Sequence, residues 1–89
     1  MLNIHYTIQI KKDYKRIKKQ HKDISKLQFV IEELVNQNEL DPRYKNHLLT
    51  GNWNKHSECH IESDWLLIYR ISDNNFYLER TGSHSEIFR

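Results

Sequence analysis

Histidine is concentrated in the second half of this 89-residue chain, where acidic and arginine side chains accompany it. Metal-independent cleavage of RNA needs a base that takes the 2′-hydroxyl proton, an acid that protonates the leaving 5′-oxygen, and a cation that stabilises the charged phosphorane. Histidine titrates near neutral pH, and arginine donates paired hydrogen bonds to phosphate. The residues of these types are His47, His56, His60, His84, Asp64, Arg70 and Arg80. Their types suit RNA cleavage if the fold brings them together.

The spacing of the same histidines argues against a metal site. His56 and His60 flank Glu58 on one face of a predicted strand, but four strand residues separate the two imidazoles by about 13 Å, too far for one ion. We therefore expect no metal and no other cofactor. Other hydrolytic chemistries lack their motifs, since the chain has no G-x-S-x-G turn and no P-loop. Cys59 is a poor nucleophile because strand alternation points it toward the core with Ile61.

A basic segment precedes the histidine-rich half. Residues 11–26 contain eight basic and two acidic side chains, a net charge of +6 that the whole chain's +2 conceals. Such a helix surface attracts phosphate backbones or an acidic protein, and a solvated helix exterior is the alternative. The basic residues are Lys11, Lys12, Lys15, Arg16, Lys18, Lys19, Lys22 and Lys26.

The N-terminal part of the chain predicts one strand followed by two helices. Apolar residues alternate with polar ones from residue 2 to residue 10, which indicates a strand. The period then changes and predicts a short helix over about residues 11–20. Asp23 is a suitable N-cap for a second helix, whose apolar stripe ends near Asn36. Because the connection is short, the two helices are expected to be antiparallel.

The C-terminal part predicts three strands after an irregular stretch. Residues 40–52 lack periodicity and contain turn residues, so we expect His47 on a loop. Strands are predicted over His56–Ile61, Trp65–Ile71 and Phe76–Thr81, with tight turns between them. The prediction is a single α+β domain over residues 1–89, of order βααβββ. Two antiparallel helices would pack on a mainly antiparallel four-stranded sheet whose first and second strands are antiparallel.

Size and cysteine usage narrow the class of protein. A chain of 89 residues buries one modest core, so a deep cleft between domains is excluded. The single cysteine excludes an intramolecular disulfide and a Cys-rich zinc module. The N-terminus lacks the apolar stretch of a signal peptide, and the longest apolar run, Trp65–Tyr69, is too short to span a bilayer. We therefore expect a cytoplasmic protein without membrane contact.

Three C-terminal blocks resemble a known family. Tyr44–Trp53, Glu58–Tyr69 and Arg80–Phe88 are similar, in order and spacing, to the YafQ branch of the RelE/ParE toxins. The resemblance covers nearly the whole chain and implies a RelE-like fold and a ribosome-dependent mRNA endonuclease of a bacterial type II toxin–antitoxin pair. It also implies partners, namely the ribosome, its mRNA and an antitoxin similar to DinJ. A dimer of that antitoxin would link two toxin chains into a heterotetramer and bind operator DNA.

For catalysis, the resemblance implies five residues with distinct roles. His84 and His60 are expected to form the proton-transfer pair, and Asp64 to orient and charge a histidine. Arg80 is expected to stabilise the phosphorane, and His47 could take either proton role. Which histidine is the acid and which is the base does not follow from the sequence.

Substrate contact is expected from two aromatic residues, and the sequence departs from the family at two positions. Trp65 and Phe88 are expected to stack on a base or to position one. Leu48 follows the loop histidine where relatives tend to carry proline, which loosens that loop. Ser57 stands at a position that is usually arginine. Strand alternation puts residue 57 on the face opposite His60, so we expect its change to spare catalysis.

Two functions of other classes stay open. A ParE-like member of the same superfamily would poison DNA gyrase without cutting RNA, although it has no need for His47, His60 and His84 together. A non-enzymatic nucleic-acid-binding module would use the basic segment alone. In an RNA-cleaving toxin, that segment would contact ribosomal RNA phosphates or the antitoxin.

Overall fold

Five strands and three α-helices form the computed structural model, which describes residues 1–88. In chain order the elements are β1 (Asn3–Tyr6), α1 (Ile8–Lys19), α2 (Ile24–Val35), β2 (His47–Leu48), β3 (Ser57–Glu62), β4 (Trp65–Ser72), β5 (Asn75–Gly82) and α3 (His84–Ile87). Short 3-10 helices at Pro42–Tyr44 and Gly51–Trp53 flank β2. Within residues 1–88, no helix has the length and apolar character needed to cross a membrane. The predicted α+β class is confirmed.

One sheet holds all five strands in the order β1-β5-β4-β3-β2. β1 pairs with β5 in parallel, and the other pairs are antiparallel. β4 is buried along most of its length and lies at the centre, whereas all four residues of β1 are exposed at an edge. The apolar content of the strands therefore matches their place in the sheet.

The observed sheet has one strand more than the predicted sheet, and one of its strands runs in the opposite direction to the predicted one. His47 was expected on a loop, but His47 and Leu48 form β2 opposite Glu58 and Ser57. Because β2 reverses the chain once more after α2, the strand that was predicted as second, β3, runs in the same direction as β1. The expected four strands, and the antiparallel direction of that second strand, are wrong for this reason.

Side-chain caps set the starts of the two long helices. Thr7 Oγ1 accepts a hydrogen bond at 3.1 Å from a first-turn N–H, so α1 begins at Ile8 rather than near residue 11. Asp23 Oδ1 accepts a hydrogen bond from the Ser25 N–H at 3.0 Å, which confirms the predicted cap of α2. The alternation that predicted a strand up to residue 10 thus belongs partly to the first turn of α1.

The two long helices cover one face of the sheet and bury the main core. Ile17, Val30, Leu67 and Phe76 have no exposed surface in this layer. Cys59 is buried on the same side, as predicted. Burial raises the pKa of its thiol to about 12, so the thiol stays protonated at neutral pH and is unsuited to nucleophilic attack.

The opposite face of the sheet carries a second, smaller apolar cluster. Leu66 and Ile68 of β4 pack with Ile87 of α3, and the partly buried Leu49 and Trp53 lie against them. Neither α1 nor α2 contributes to this cluster. We call this side the open face, and the polar residues that alternate onto it are the candidates for a functional site.

Candidate active site

Two histidines from separate elements meet on the open face. His60 lies in β3, and His84 is the first residue of α3. The centroids of their rings are 5.8 Å apart. Each imidazole pairs with a carboxylate, His60 with Glu58 and His84 with Asp64. The fold therefore brings together the two histidines that were expected to transfer protons.

The turn between β3 and β4 holds His84 in place. Its Nδ1 lies 3.0 Å from Asp64 Oδ1, and its backbone N–H donates to the same oxygen at 3.1 Å. The hydrogen bond with the His84 side chain lowers the pKa of Asp64, which is therefore ionised at neutral pH. With Nδ1 turned toward a carboxylate, Nε2 is the nitrogen that can exchange a proton with a substrate.

The carboxylate partner of His60 is more buried. His60 Nε2 lies 3.0 Å from Glu58 Oε1, and Glu58 is only 5% exposed. A carboxylate at this depth needs a hydrogen-bonding or charged partner, which His60 supplies. The sequence placed Glu58 on the same strand face as His60, two residues away, but no role was predicted for it. The two-residue spacing in a strand was the feature of the sequence from which this contact with His60 could have been predicted.

A capping box fixes the start of α3. Ser83 Oγ accepts a hydrogen bond from the Glu86 N–H, and the Glu86 carboxylate accepts one from the Ser83 N–H at 2.8 Å. Gly82 has a φ of +153°, and a Cβ at this position would collide with the side chains of Arg16 and Glu86. The sequence Gly-Ser-His therefore turns the chain sharply after β5 and sets His84 beside Asp64.

Arg80 links β5 to α1 through a buried carboxylate and to α3 through a backbone oxygen. Its Nε donates to Asp13 Oδ2 at 2.8 Å, and its Nη2 lies 3.5 Å from the backbone oxygen of Glu86. Asp13 has no exposed surface. Burial acts to raise the pKa of Asp13, but hydrogen bonds from Arg80, the Thr81 N–H and Arg16 outweigh it and lower the pKa. Arg80, predicted to face the phosphorane, thus joins α1, β5 and α3.

The two aromatic residues predicted for substrate contact lie in different surroundings. Trp65 is 1% exposed, and its Nε1 donates to Thr81 Oγ1 at 2.9 Å. A ring buried to this degree offers no face to a stacking base, which leaves Trp65 only the positioning role. Phe88 is exposed, with its ring centroid 6.2 Å from that of His84 and 6.0 Å from that of Trp53. The aromatic side chains near His84 are therefore Phe88 and, in contact with it, Trp53, for which no role was predicted.

His47 lies one strand away from the histidine pair. It is opposite Glu58 in the pairing of β2 with β3, and opposed residues of antiparallel strands point to the same face. Its ring is exposed, and Nδ1 is bonded to the backbone oxygen of Lys45 at 2.7 Å. Leu48, at the position of the expected proline, is 73% exposed. His47 is thus on the open face but outside the two carboxylate-bonded pairs.

The basic segment contains exposed lysines, the half-buried Lys22 and the half-buried Arg16, which bridges elements. Lys22 is half-buried, with its Nζ 5.5 Å from the ring centroid of Trp65. Arg16, which was predicted to contact RNA, the ribosome or the antitoxin, donates to the backbone oxygen of Thr81 at 2.7 Å and pairs with Asp13 and Glu86. It therefore connects α1 to β5 and α3. The exposed lysines of α1 are Lys11, Lys12, Lys15, Lys18 and Lys19, which we call the basic surface.

The histidine pair also offers ligands for a metal ion. Ligand atoms of Glu58, His60 and His84 all lie within 4.8 Å of one another. Imidazole and carboxylate ligands suit zinc or copper. His56 pairs elsewhere, with its Nε2 3.4 Å from Glu79. Strand spacing alone does not predict this set of three ligands, because His84 comes from α3.

Comparisons with known proteins identify the family. The family model for the bacterial toxin of type II toxin–antitoxin systems, YafQ, matches residues 2–89. The mRNA interferase toxin YafQ of Escherichia coli strain K12 is 40% identical over 87 residues, which cover 97% of this chain and 95% of that relative.

Solved structures are similar over the whole chain. A copper-bound mutant toxin from Helicobacter pylori has a TM-score of 0.95 at 38% identity and covers 99% of this chain and 100% of its own. The toxin of the E. coli DinJ-YafQ complex has a TM-score of 0.92 at 38% identity, with both chains fully covered. This chain therefore belongs to the YafQ family of bacterial toxins of type II toxin–antitoxin systems.

Proposed function

We propose that this toxin cleaves ribosome-bound mRNA through attack of the 2′-hydroxyl, with His60 and His84 moving the protons. Its two E. coli relatives are named mRNA interferase toxins, and at about 40% identity across nearly complete chains that class carries over. The chain is an mRNA interferase toxin, an endoribonuclease. The observation that carries the mechanism is the pair of carboxylate-bonded imidazoles with ring centroids 5.8 Å apart.

Each of the two imidazoles that pair with a carboxylate can transfer one proton of the reaction. One imidazole accepts the 2′-hydroxyl proton while the 2′-oxygen bonds to phosphorus, and the other gives a proton to the 5′-oxygen while that bond to phosphorus breaks. The products carry a 2′,3′-cyclic phosphate and a 5′-hydroxyl. Glu58 and Asp64 stabilise the imidazolium form of their partners. We assign Arg80 a positioning role, since its bonds to Asp13 and to α3 fix the helix that carries His84.

A translating extract tests this function directly. Purified toxin is added, and RNA 5′ ends are mapped with and without ribosomes. New cuts are expected at defined codon positions, with little cutting of free mRNA, because a small shallow site cannot hold flexible RNA in line for attack. The new ends should be labelled by kinase without prior phosphatase treatment. Equal cutting of free mRNA contradicts ribosome dependence, and a need for phosphatase contradicts 2′-hydroxyl attack.

Cleavage is expected to survive metal removal and to be inhibited by added metal. The 2′-hydroxyl supplies the nucleophile, so no metal-activated water is needed. An ion on Glu58, His60 and His84 would occupy the lone pairs that move protons. Initial rates are measured with a chelator that binds zinc and copper but spares ribosomal Mg²⁺, and then with added Zn²⁺ or Cu²⁺. Activity lost in the chelator and restored by zinc contradicts the metal-free mechanism.

The basic surface is expected to hold ribosomal RNA phosphates. Replacing Lys11, Lys12, Lys15 and Lys19 by glutamine should weaken ribosome binding. Each lost phosphate contact should reduce the slope of log affinity against log salt by about one. These side chains are exposed, so the fold should be unchanged. Lys55→Gln, an exposed lysine outside the basic surface, is the matched control. If the fourfold variant bound ribosomes as tightly as the wild type, the lysines would be only a solvent-exposed helix face and not a ribosome contact.

An apolar groove beside the basic surface suits an antitoxin segment. It has a volume of about 480 Å³ and is lined by residues of α1 and α2 and of strands β1, β4 and β5. Its lining includes Tyr6, Ile10, Tyr14, Leu27, Ile31, Lys11 and Lys15. The E. coli relative has been solved in complex with DinJ. We propose that a similar cognate antitoxin covers this groove with an amphipathic segment, apolar toward the groove and acidic toward the lysines. A dimer of it would link two toxins and bind operator DNA.

Tyr14→Glu is expected to weaken the antitoxin complex by at least about tenfold, because the new carboxylate would lose its hydration against an apolar segment and would repel that segment's acidic side chains. Tyr14 is 37% exposed in the toxin alone, so the change should be tolerated there. Co-purification with the product of the neighbouring open reading frame and rescue of growth are the measurements. Tyr14→Phe keeps the ring and should bind normally. Full binding by Tyr14→Glu contradicts the assignment of this groove.

A further inference from the structure

A row of stacked planar side chains crosses the open face away from the histidine pair. His5 of β1, Tyr77 of β5 and Arg70 of β4 lie opposite one another in the strand registers. The rings of His5 and Tyr77 are stacked, with centroids 4.7 Å apart and planes 18° from parallel. The guanidinium carbon of Arg70 lies 4.0 Å from the centroid of Tyr77. We call these three residues the planar row.

The planar row is held in place by its neighbours. Arg70 Nε lies 3.5 Å from Glu79 Oε2, and His56 Nε2 lies 3.4 Å from the same oxygen. His5 Nε2 is bonded to Asn75 Oδ1 at 2.8 Å. The stack therefore exists before any ligand arrives, which lowers the entropy that binding costs.

The planar row and the histidine pair share one face of the sheet. His56, which contacts the same carboxylate as Arg70, directly precedes β3, and continuing the alternation of that strand puts it on the same face of the sheet as His60. A spacing of four positions in extended chain puts His56 about 13 Å from His60. His5 is exposed on the edge strand, so a planar group can extend the stack beyond the sheet. An extended ligand that leaves the histidine pair along the sheet therefore reaches the row.

We propose that the planar row binds the single-stranded part of the substrate RNA that flanks the cleaved phosphate. This inference rests on the proposed function. Unpaired bases stack on aromatic rings and on arginine planes, and a guanidinium donates to phosphate at the same time. The row combines these groups, with Glu79 holding the guanidinium in place. The helix side offers a contrasting surface, the apolar groove, whose chemistry suits a folded protein segment instead.

RNA binding by a cleavage-deficient protein tests the planar row. His84→Ala protein is titrated into a fluorescent single-stranded RNA of about twelve nucleotides, long enough to cover site and row. Adding Tyr77→Ala should weaken binding about fivefold or more, the scale for loss of one stacking platform. Adding Arg70→Gln should reduce the salt slope by about one and serves as the second variant if Tyr77→Ala folds poorly. Tyr6→Ala, a neighbouring exposed tyrosine that lines the groove on the helix side, is the matched control.

The outcomes separate this inference from the proposed function. Normal RNA binding by both Tyr77→Ala and Arg70→Gln, in a toxin that cuts mRNA, overturns the planar row as a substrate site. Weakened binding to ribosomes that lack mRNA also overturns it, because the row would then contact ribosomal RNA. In an otherwise active protein, Tyr77→Ala should raise KM with kcat nearly unchanged. A wild-type toxin that binds the RNA but does not cut mRNA on ribosomes contradicts the proposed function instead.

Discussion

His84→Ala is expected to lower the cleavage rate by about a hundredfold or more, the scale for loss of a general acid or base. The side chain is exposed, and the capping box of Ser83 and Glu86 holds the start of α3 without it. The variant should therefore fold like the wild type. Growth inhibition on expression should disappear together with cleavage. Rates on translating ribosomes and thermal unfolding curves measure the two effects separately.

His21→Asn is the matched control for this change. His21 is also an exposed histidine, but it lies between α1 and α2, away from the open face. Its φ of +60° is one that asparagine accepts readily, so the replacement should not strain the backbone. The control should inhibit growth fully. If His84→Ala did so as well, at matched abundance, His84 would have no part in the mechanism.

Local patterns in the sequence predicted the elements that are long and clearly capped. Helix α2 begins after Asp23 and ends before Asn36 as expected, because both caps and the apolar stripe are local features. β2 could not be predicted in this way, since two residues are too few to show a period. Its presence changes the strand order and direction. The parallel pairing of β1 with β5 likewise depends on contacts between the two ends of the chain.

The candidate catalytic residues were predicted largely from the resemblance of their motifs, and the geometry adds contacts that the motifs do not contain. The pairing of Asp64 with His84 joins a turn to a helix start and has no signature in spacing. The bonding of Arg80 to Asp13 is equally long-range, so from the sequence alone an arginine near the end of a strand resembled a free phosphate ligand. Glu58 was accessible to prediction, because alternation alone places it beside His60.

The two layers of the fold separate two kinds of contact. The helix layer carries the basic surface and the apolar groove, which suit large partners. The open face carries the histidine pair and the planar row, which suit RNA. The bridge of Arg16 and Arg80 to Asp13 connects α1 to β5 and so joins the layers. A partner on α1 therefore lies against the element that supports α3 and His84.

His60→Gln is expected to lower cleavage by about a hundredfold or more with little loss of stability. Glutamine keeps a donor for the buried Glu58, whereas alanine would leave that carboxylate without its partner and destabilise the fold. The amide cannot exchange a proton, so only the chemical step should be affected. Thermal unfolding of the His60→Gln and His60→Ala proteins checks this difference.

The dependence of residual cleavage on pH then distinguishes the two histidines. A reaction with one base and one acid gives a bell-shaped profile of kcat/KM against pH. The variant that lacks the base should lose the rise on the acidic side, and the variant that lacks the acid should lose the fall on the alkaline side. His60→Gln and His84→Gln are therefore expected to lose opposite limbs. If both variants kept the full bell, the two imidazoles would not be the groups that transfer the protons.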